Sequence, residues 1–469
     1  MTGPAPGEPG PTVIATRPTA GQPRPYEFPA FDRATLANGL TVLTVHLPGR
    51  PLVSTQLILR NGAVDEPASE AGATVLSARA LTEGTERYDA VALVEATERL
   101  GASLHAEAGW DAYFVGVDVP AERLAPAVEL LAEVAEHPTF PTAEVERIRD
   151  ERLNDILQAR ADARRRVDEA FAATVYSDGS PYHRPAGGVT ETVSGLDRDR
   201  LAAAWWRGLD PARMTVVVAG DLEGIDPVAL IGRTMGTWSR AVGAVVPGPI
   251  HATAAGTGRR LRLVDKPGAP QTEIRVGHLG SPRRIPDFHA VSVTAAILGG
   301  LFNSRLNMKL REEKGYTYGA HAGFDLRRAA GPFSARAAVN TEVTAAALAD
   351  LLAELERIRT ERVTEAELRA ARDFLIGVFP LRFETPGPVV GALSGMVVHE
   401  LPDDELATYR ARIEAVTEDD VLAAARTHIR LEDASAVLVG DAATVADGLR
   451  ELGFAELEVI RDEAAAPAG

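Results

Sequence analysis

The densest chemistry in the chain is the stretch "KLREEKGYTYG", Lys309 to Gly319. The 469 residues include only 8 Tyr, yet Tyr316 and Tyr318 stand two positions apart here, just after Arg311. A guanidinium and a phenol are donors suited to a carbonyl oxygen or an oxyanion. Gly315 reads as the residue that closes a helix in the left-handed conformation, with Lys314 complementing the helix dipole. "YTYGAHAGFD" then alternates as a strand, which puts Tyr316 and Tyr318 on one face and Thr317 on the other. Arg311 lies in the last helical turn, a tight corner away, so the guanidinium and a phenol can converge on one spot. Sequence physics alone favours a plainer reading: a solvated helix charge and core tyrosines with their hydroxyls at the surface.

Other reactive groups are sparse. The chain has no cysteine, hence no disulfide, thiolate metal site or thiol nucleophile. No pair among the 10 His lies at a helical ligand spacing. "RADARRRVDEAF" is a basic run read as the solvated face of a helix, and Trp205 and Trp206 on an Ala-rich helix read as core or interface.

The elements that position these groups come in two copies, with a period of about 220 residues. "SGLDRDRLAAAWW" resembles "AVTEDDVLAAARTH", and each precedes a buried strand ending in Gly-Asp, "MTVVVAGD" and "SAVLVGD". "FPTAEVERIRDERL" matches "VTEAELRAARDFL", and "GASLHAEAGWD" parallels "GYTYGAHAGFD". In that last alignment Leu104 stands where the second copy has Tyr318. His105 and His321 take the same place in the two halves, which points to packing.

A repeat this long means duplicated domains. Each half opens on an alternating strand, "GLTVLTVHL" in the first and "QTEIRVGHL" at the matching step of the second, followed by helices and further strands. Thr142 and Thr364 read as helix N-caps, the second with Glu367 completing a capping box. The pattern predicts an α+β fold, each half a mainly antiparallel sheet with helices on one face. Expected boundaries are a Pro/Gly-rich tail over 1–30, an N-terminal domain over 31–241, a Gly/Ala/Pro-rich linker over 242–260 and a C-terminal domain over 261–469.

Composition narrows the function classes. A net charge of −17 disfavours nucleic acid and anionic lipid as partners. No stretch approaches the roughly 18 consecutive apolar residues of a membrane helix. The N-terminus lacks a basic region followed by an apolar one, so it does not read as a signal peptide, and a cytoplasmic location is expected.

Several separated motifs, in order from about residue 31 to 455, resemble the pitrilysin, insulysin and mitochondrial processing peptidase family. They are "NGLTVLTVHLPGRPLVSTQLILRNGAVDEP", "YSDGSPYHRPAGGVTETVSGLDRDRL" and "ILGGLFNSRLNMKLREEKGYTYG". The resemblance implies two homologous halves that form half of a clamshell around an extended peptide. Active members carry an inverted zinc motif, H-x-x-E-H, on the first helix of the N-terminal half. The matching segment here is "GATVLSARALTEGT", whose five motif positions are Val75, Leu76, Ser77, Ala78 and Arg79. Neither His is present, and Ala78 takes the Glu position. The region of the third ligand reads Asn154-Asp155. Val75, Leu76 and Ala78 cannot bind a metal and Arg79 would repel one, so the chain is expected to bind no cofactor itself and to cleave nothing alone.

The same resemblance changes the reading of the opening stretch. In similar members an Arg and a Tyr spaced like Arg311 and Tyr318 follow a G-x-x-x-S-R-L segment and bind substrate carbonyls near the scissile bond, facing the zinc of the N-terminal half. It implies Arg311 and Tyr318 as substrate and oxyanion contacts acting in trans, Tyr316 as an extra phenol, and Gly299 and Gly300 as a close-approach loop at the substrate. His183 in "SPYHRP" orders a loop. The emptied zinc motif with a retained Arg/Tyr pair resembles the non-catalytic subunit of a two-component peptidase, whose partner chain carries H-x-x-E-H and Zn2+. The alternatives are a structural scaffold of the same fold, like the core subunits of a respiratory complex, and a peptide-binding pseudo-enzyme acting as a homodimer.

Overall fold

The computed structural model describes residues 24–454 and 456–461. The first half supplies strands β1 (Asp32–Thr35), β2 (Thr41–His46), β3 (Leu52–Leu59), β4 (Ser103–Ala108), β5 (Tyr113–Pro120) and β6 (Met214–Gly220). The second supplies β7 (Leu261–Asp265), β8 (Gln271–Leu279), β9 (Ala320–Phe324), β10 (Pro332–Asn340), β11 (Ser435–Gly440) and β12 (Leu457–Ile460). They build two six-stranded sheets, ordered β1-β2-β6-β3-β5-β4 and β12-β7-β11-β8-β10-β9. The pairs β2–β6, β7–β11 and β7–β12 are parallel and all other neighbours antiparallel. The fold is thus α+β in two duplicated halves, as the repeat predicts. Strands β6 and β11 are buried along their whole length, because both faces of a central strand are covered; this is why they read as unbroken apolar runs.

The register corrects two alignments. The strand "QTEIRVGHL" is β8, the counterpart of β3; the counterpart of "GLTVLTVHL" is β7. His105 lies opposite Gly116, which lies opposite Gln56 and then Val217. His321 lies opposite Arg336, then Arg275, then Val437. The two histidines do share one place in their sheets, and by that register Leu104 matches Ala320 rather than Tyr318.

Each half's own helices cover one face of its sheet. The other face takes a helix from the opposite half, an exchange the sequence pattern does not predict. Helix Pro386–Val398 lays Val389, Val390, Leu393 and Met396 on Leu43, Val45, Ile58, Val217 and Ala219 of the first sheet. Helix Ala163–Val175 lays Val167, Phe171 and Val175 on Val264, Val437 and Val439 of the second. The basic run is therefore solvated on one side only. Gly277 of β8 admits this helix, since a Cβ there would stand 2.9 Å from the Phe171 ring.

Helix ends follow capping chemistry with one correction. Thr364 accepts from the Glu367 N–H while Glu367 accepts from the Thr364 N–H, the expected box. Thr142 is instead the first helical residue, with Pro141 at the N-cap and no side-chain cap. Residues 242–260 hold no helix or strand beyond an isolated bridge between Tyr176 and Ala254. Of the expected N-terminal tail, residues 1–23 lie outside the described residues; Phe28 is buried, its ring edge-on to Phe383 at 4.9 Å. Among the described residues, no helix is long and apolar enough to cross a membrane.

Candidate functional site

The segment that carries Arg311 begins with two wide helical turns. The Leu301 N–H donates to Ala296 O at 3.1 Å and the Lys314 N–H to Lys309 O at 3.2 Å, π-type bonds of the kind that recur at functional sites. Gly315 ends the second turn at φ +65°, the left-handed residue expected there. Its N–H donates to Arg311 O at 3.1 Å, and the Tyr316 N–H to Leu310 O at 2.8 Å.

Beyond Gly315 the chain departs from the expected alternation. Strand β9 starts only at Ala320. The Thr317 hydroxyl donates to Gly319 O at 2.9 Å and accepts from the Gly319 N–H at 3.1 Å, closing a small turn in place of a strand. The two phenols therefore part. Tyr316 is half-buried against the second core, whereas Tyr318 is 92% exposed. Arg311 lies over the Phe302 ring, with its guanidinium carbon 4.5 Å from the centroid. Its nearest carboxylate, Glu312, is 3.5 Å away at the surface.

Asn307 holds this arrangement, and sequence reasoning missed it. Its buried amide donates to Leu301 O at 3.0 Å and Ser304 Oγ at 3.2 Å, and its oxygen accepts from the Ala320 N–H at 2.8 Å. One side chain thus ties the loop before the helix, the helix itself and the start of β9. The available signal was an Asn inside the helical run "RLNMKL", where it is a poor helix former. Arg305, also buried, forks onto Glu367 at 2.6 and 3.1 Å and anchors the same turn to the next helix pair.

The glycines divide. A Cβ on buried Gly299 would stand 2.1 Å from Ala322 N, so its close approach is to β9. Gly300 is exposed.

The helix matching the family's zinc helix is Ala73–Ala80. Leu76, Ser77 and Ala78 are completely buried, Val75 is half-buried, and Arg79 points out to Glu151 at 2.7 Å. Asn154 is exposed, and the Asp155 carboxylate is held by Arg165 at 2.7 and 3.0 Å and by Arg152. Hydrogen bonds from Arg165 in the first place pull Asp155 below its ordinary pKa. The donor set does not fit zinc: aliphatic side chains, a cation and a carboxylate already engaged by two guanidiniums. Among the described residues no group of three or more His, Cys, Asp or Glu is placed to hold a metal ion.

Instead the helix start is held by Glu66, which accepts from the Gly72 N–H at 2.8 Å and the Thr74 N–H at 3.0 Å. Burial raises the Glu66 carboxyl to about 7 against those bonds. The His183 Nδ1–H donates to Tyr176 O at 3.0 Å inside its loop, and Trp205 is core, donating to Ala135 O at 3.0 Å.

Residues 41–185 match the family model described as insulinase (peptidase family M16), and residues 195–375 the one described as peptidase M16 inactive domain. A Mycobacterium bovis protein named as an uncharacterized zinc protease is 30% identical over 416 residues, 87% of this chain and 92% of its own. A Helicobacter pylori protein named non-peptidase homolog YmxG is 23% identical, covering 71% of this chain and 76% of its own. The crystal structure of a peptidase M16 inactive domain from Pseudomonas fluorescens superposes with a TM-score of 0.81 at 24% identity, over 88% of this chain and 98% of that one.

Proposed function

The chain belongs to the insulinase family of peptidases, family M16, and from that premise we propose that it is the non-catalytic subunit of a two-chain zinc metallopeptidase. One observation carries the reading: the metal helix is filled with Val75, Leu76 and Ala78, while Arg311 and Tyr318 are held at the surface by a buried framework. In this reading an extended peptide lies between two homologous chains, and the partner carries H-x-x-E-H. The partner's metal, when bound, polarises the scissile carbonyl. Arg311 and Tyr318 donate hydrogen bonds to carbonyl oxygens beside that bond and to the oxyanion that develops. A positioned donor of this kind is worth about 10²–10³ in rate. Exposed Phe302 lies against the Arg311 guanidinium and would be covered by the partner or the peptide.

The test mixes the purified chain with a homologous chain bearing H-x-x-E-H from the same genome and follows a quenched peptide. A large rise in cleavage over the partner alone supports the reading; no change contradicts it. This reading expects the pair in the cytoplasm, and recovery of the chain in secreted medium or with membranes on fractionation contradicts that expectation. A second reading, a pseudo-peptidase that binds peptide or serves as a scaffold in a homodimer, draws on the similarity to a non-peptidase homolog. It predicts a stable homodimer in which no H-x-x-E-H chain is stimulated.

A further inference from the structure

Arg311 also lines a cavity of about 350 Å³ whose other walls include Arg164, Arg275, His321 and Arg336. Four guanidiniums around one cavity stand out in a chain of net charge −17. Glu273 is the carboxylate in its lining, and it accepts a hydrogen bond from Arg275 at 3.1 Å.

The sheet register creates the cluster. His321, Arg336 and Arg275 are directly opposite one another on β9, β10 and β8, and so form one row across the same face. Like charges directly opposite destabilise a sheet. The duplicated first sheet provides an internal control, since the same row there reads His105, Gly116 and Gln56 and carries no arginine.

Two further observations show an unmet demand for an anion. Arg275 is 2% exposed and spends Nε on Asp168 at 2.6 Å and one terminal nitrogen on Glu273 and Ile274 O. Its other terminal nitrogen is buried without a hydrogen-bond partner. Arg336 is half-buried, and among the described residues it has neither a hydrogen bond nor an ion pair. Burial, then Arg275 and Arg164, pull its guanidinium below its ordinary pKa and outweigh the attraction of Asp168 and Glu273, a penalty that a bound anion would relieve.

We infer that this cavity is a carboxylate subsite beside Arg311, taking either an acidic side chain or the C-terminal carboxylate of the peptide that the Arg311–Tyr318 face binds. The inference rests on the peptide-binding reading above and adds a substrate class to it. A bidentate arginine–carboxylate contact is the geometry that a planar guanidinium favours.

The experiment measures fluorescence anisotropy with three labelled peptides of one backbone sequence. One carries an internal Glu and a C-terminal amide, one an internal Gln and a free carboxylate, and one an internal Gln and an amide. The full chain is tested as wild type, Arg336→Gln and Arg336→Lys. At least one acidic peptide is expected to bind about 10-fold or more tighter than the neutral one; which of the two does so identifies the source of the carboxylate. Arg336→Gln should abolish the preference and Arg336→Lys should keep part of it. The Tm of Arg336→Gln should stay the same or rise, since it relieves like-charge repulsion; a purely structural arginine would lower it. Equal affinities for the three peptides, no binding of any, or a preference that survives Arg336→Gln overturns the inference. Stimulation of a catalytic partner by the wild-type chain on the neutral amide peptide reports the trans-site reading separately, so the two can fail independently.

Discussion

The Asn307 amide oxygen accepts the Ala320 N–H at 2.8 Å, bridging the helix that bears Arg311 to the strand that follows Tyr318. The residues between them turn on Thr317 and Gly315, so this bond sets how the Arg311 and Tyr318 side chains are presented. Asn307→Ala leaves the Ala320 N–H without its partner in a buried place, while Leu301 O keeps the Ser304 N–H at 3.1 Å, so the cost is about 1–3 kcal/mol. Urea unfolding should show that loss, and stimulation of the partner should fall with it. Unchanged stability and unchanged stimulation would show that Asn307 positions nothing.

Two carboxyls, half-buried Glu367 and buried Glu66, give stability opposite pH slopes. Burial works to raise Glu367, but the Arg305 and Thr364 hydrogen bonds outweigh it and bring the group from 4.5 to about 2. Its contribution is present above 4.5 and is lost as pH falls toward 2. Glu66 is raised from 4.5 to about 7, chiefly by burial. Its contribution is complete below 4.5 and is lost as pH rises through 7. Urea midpoints across this range should lose their acid limb in Glu367→Gln and their decline toward neutral pH in Glu66→Gln. Parallel profiles for wild type and both variants would contradict these assignments.

The helix that matches the family's metal-binding one should be inert. Arg79 and Glu151 form a pair with side chains 43% and 46% exposed, so Arg79→Ala should change stability by no more than about 1 kcal/mol. Neither Arg79→Ala nor Val75→Ala should change stimulation of the partner by more than about twofold. A large loss of activity in a well-folded Arg79→Ala variant would give this helix a role that the reading denies it.

The exchanged helices should hold the halves together without the connecting peptide. Val242 in the 242–260 segment is fully exposed, which makes that segment the expected site of limited proteolysis. The two fragments should still co-elute on size exclusion, because helix Pro386–Val398 remains on the first sheet and helix Ala163–Val175 on the second. Phe171→Ala should cost about 3–5 kcal/mol and loosen that association. Separation of the nicked wild-type fragments would show that the exchange contributes little.

Much of the fold was legible because its signals are local. Paired Gly-Asp strand ends marked the duplication, Gly315 announced its left-handed turn, and Thr364 with Glu367 spelled out a capping box. The helix exchange was not legible, since an amphipathic stripe such as Val167, Phe171 and Val175 shows that a face is buried but not against which sheet. At the site, the emptied motif over Val75 to Arg79 and the interest of Arg311 and Tyr318 were legible only through the family resemblance, and the exposure of Tyr318 was not, since residue type alone favoured a core phenol. Nor was the separation of Tyr316 from Tyr318, because the Thr317 hydroxyl bonds to Gly319 compete with the alternating pattern. The basic row of His321, Arg336 and Arg275 depends on register across three strands, which no single segment encodes.

The central claim is that Arg311 and Tyr318 complete an active site whose metal lies in another chain. Its most direct test is kcat for the reconstituted pair with Arg311→Ala or Tyr318→Phe in this chain, alongside size exclusion to confirm that the complex still forms. Each variant is predicted to lower kcat by about 10²–10³ with the complex intact. Wild-type kcat in both variants, or an H-x-x-E-H partner equally active without this chain, would contradict the claim.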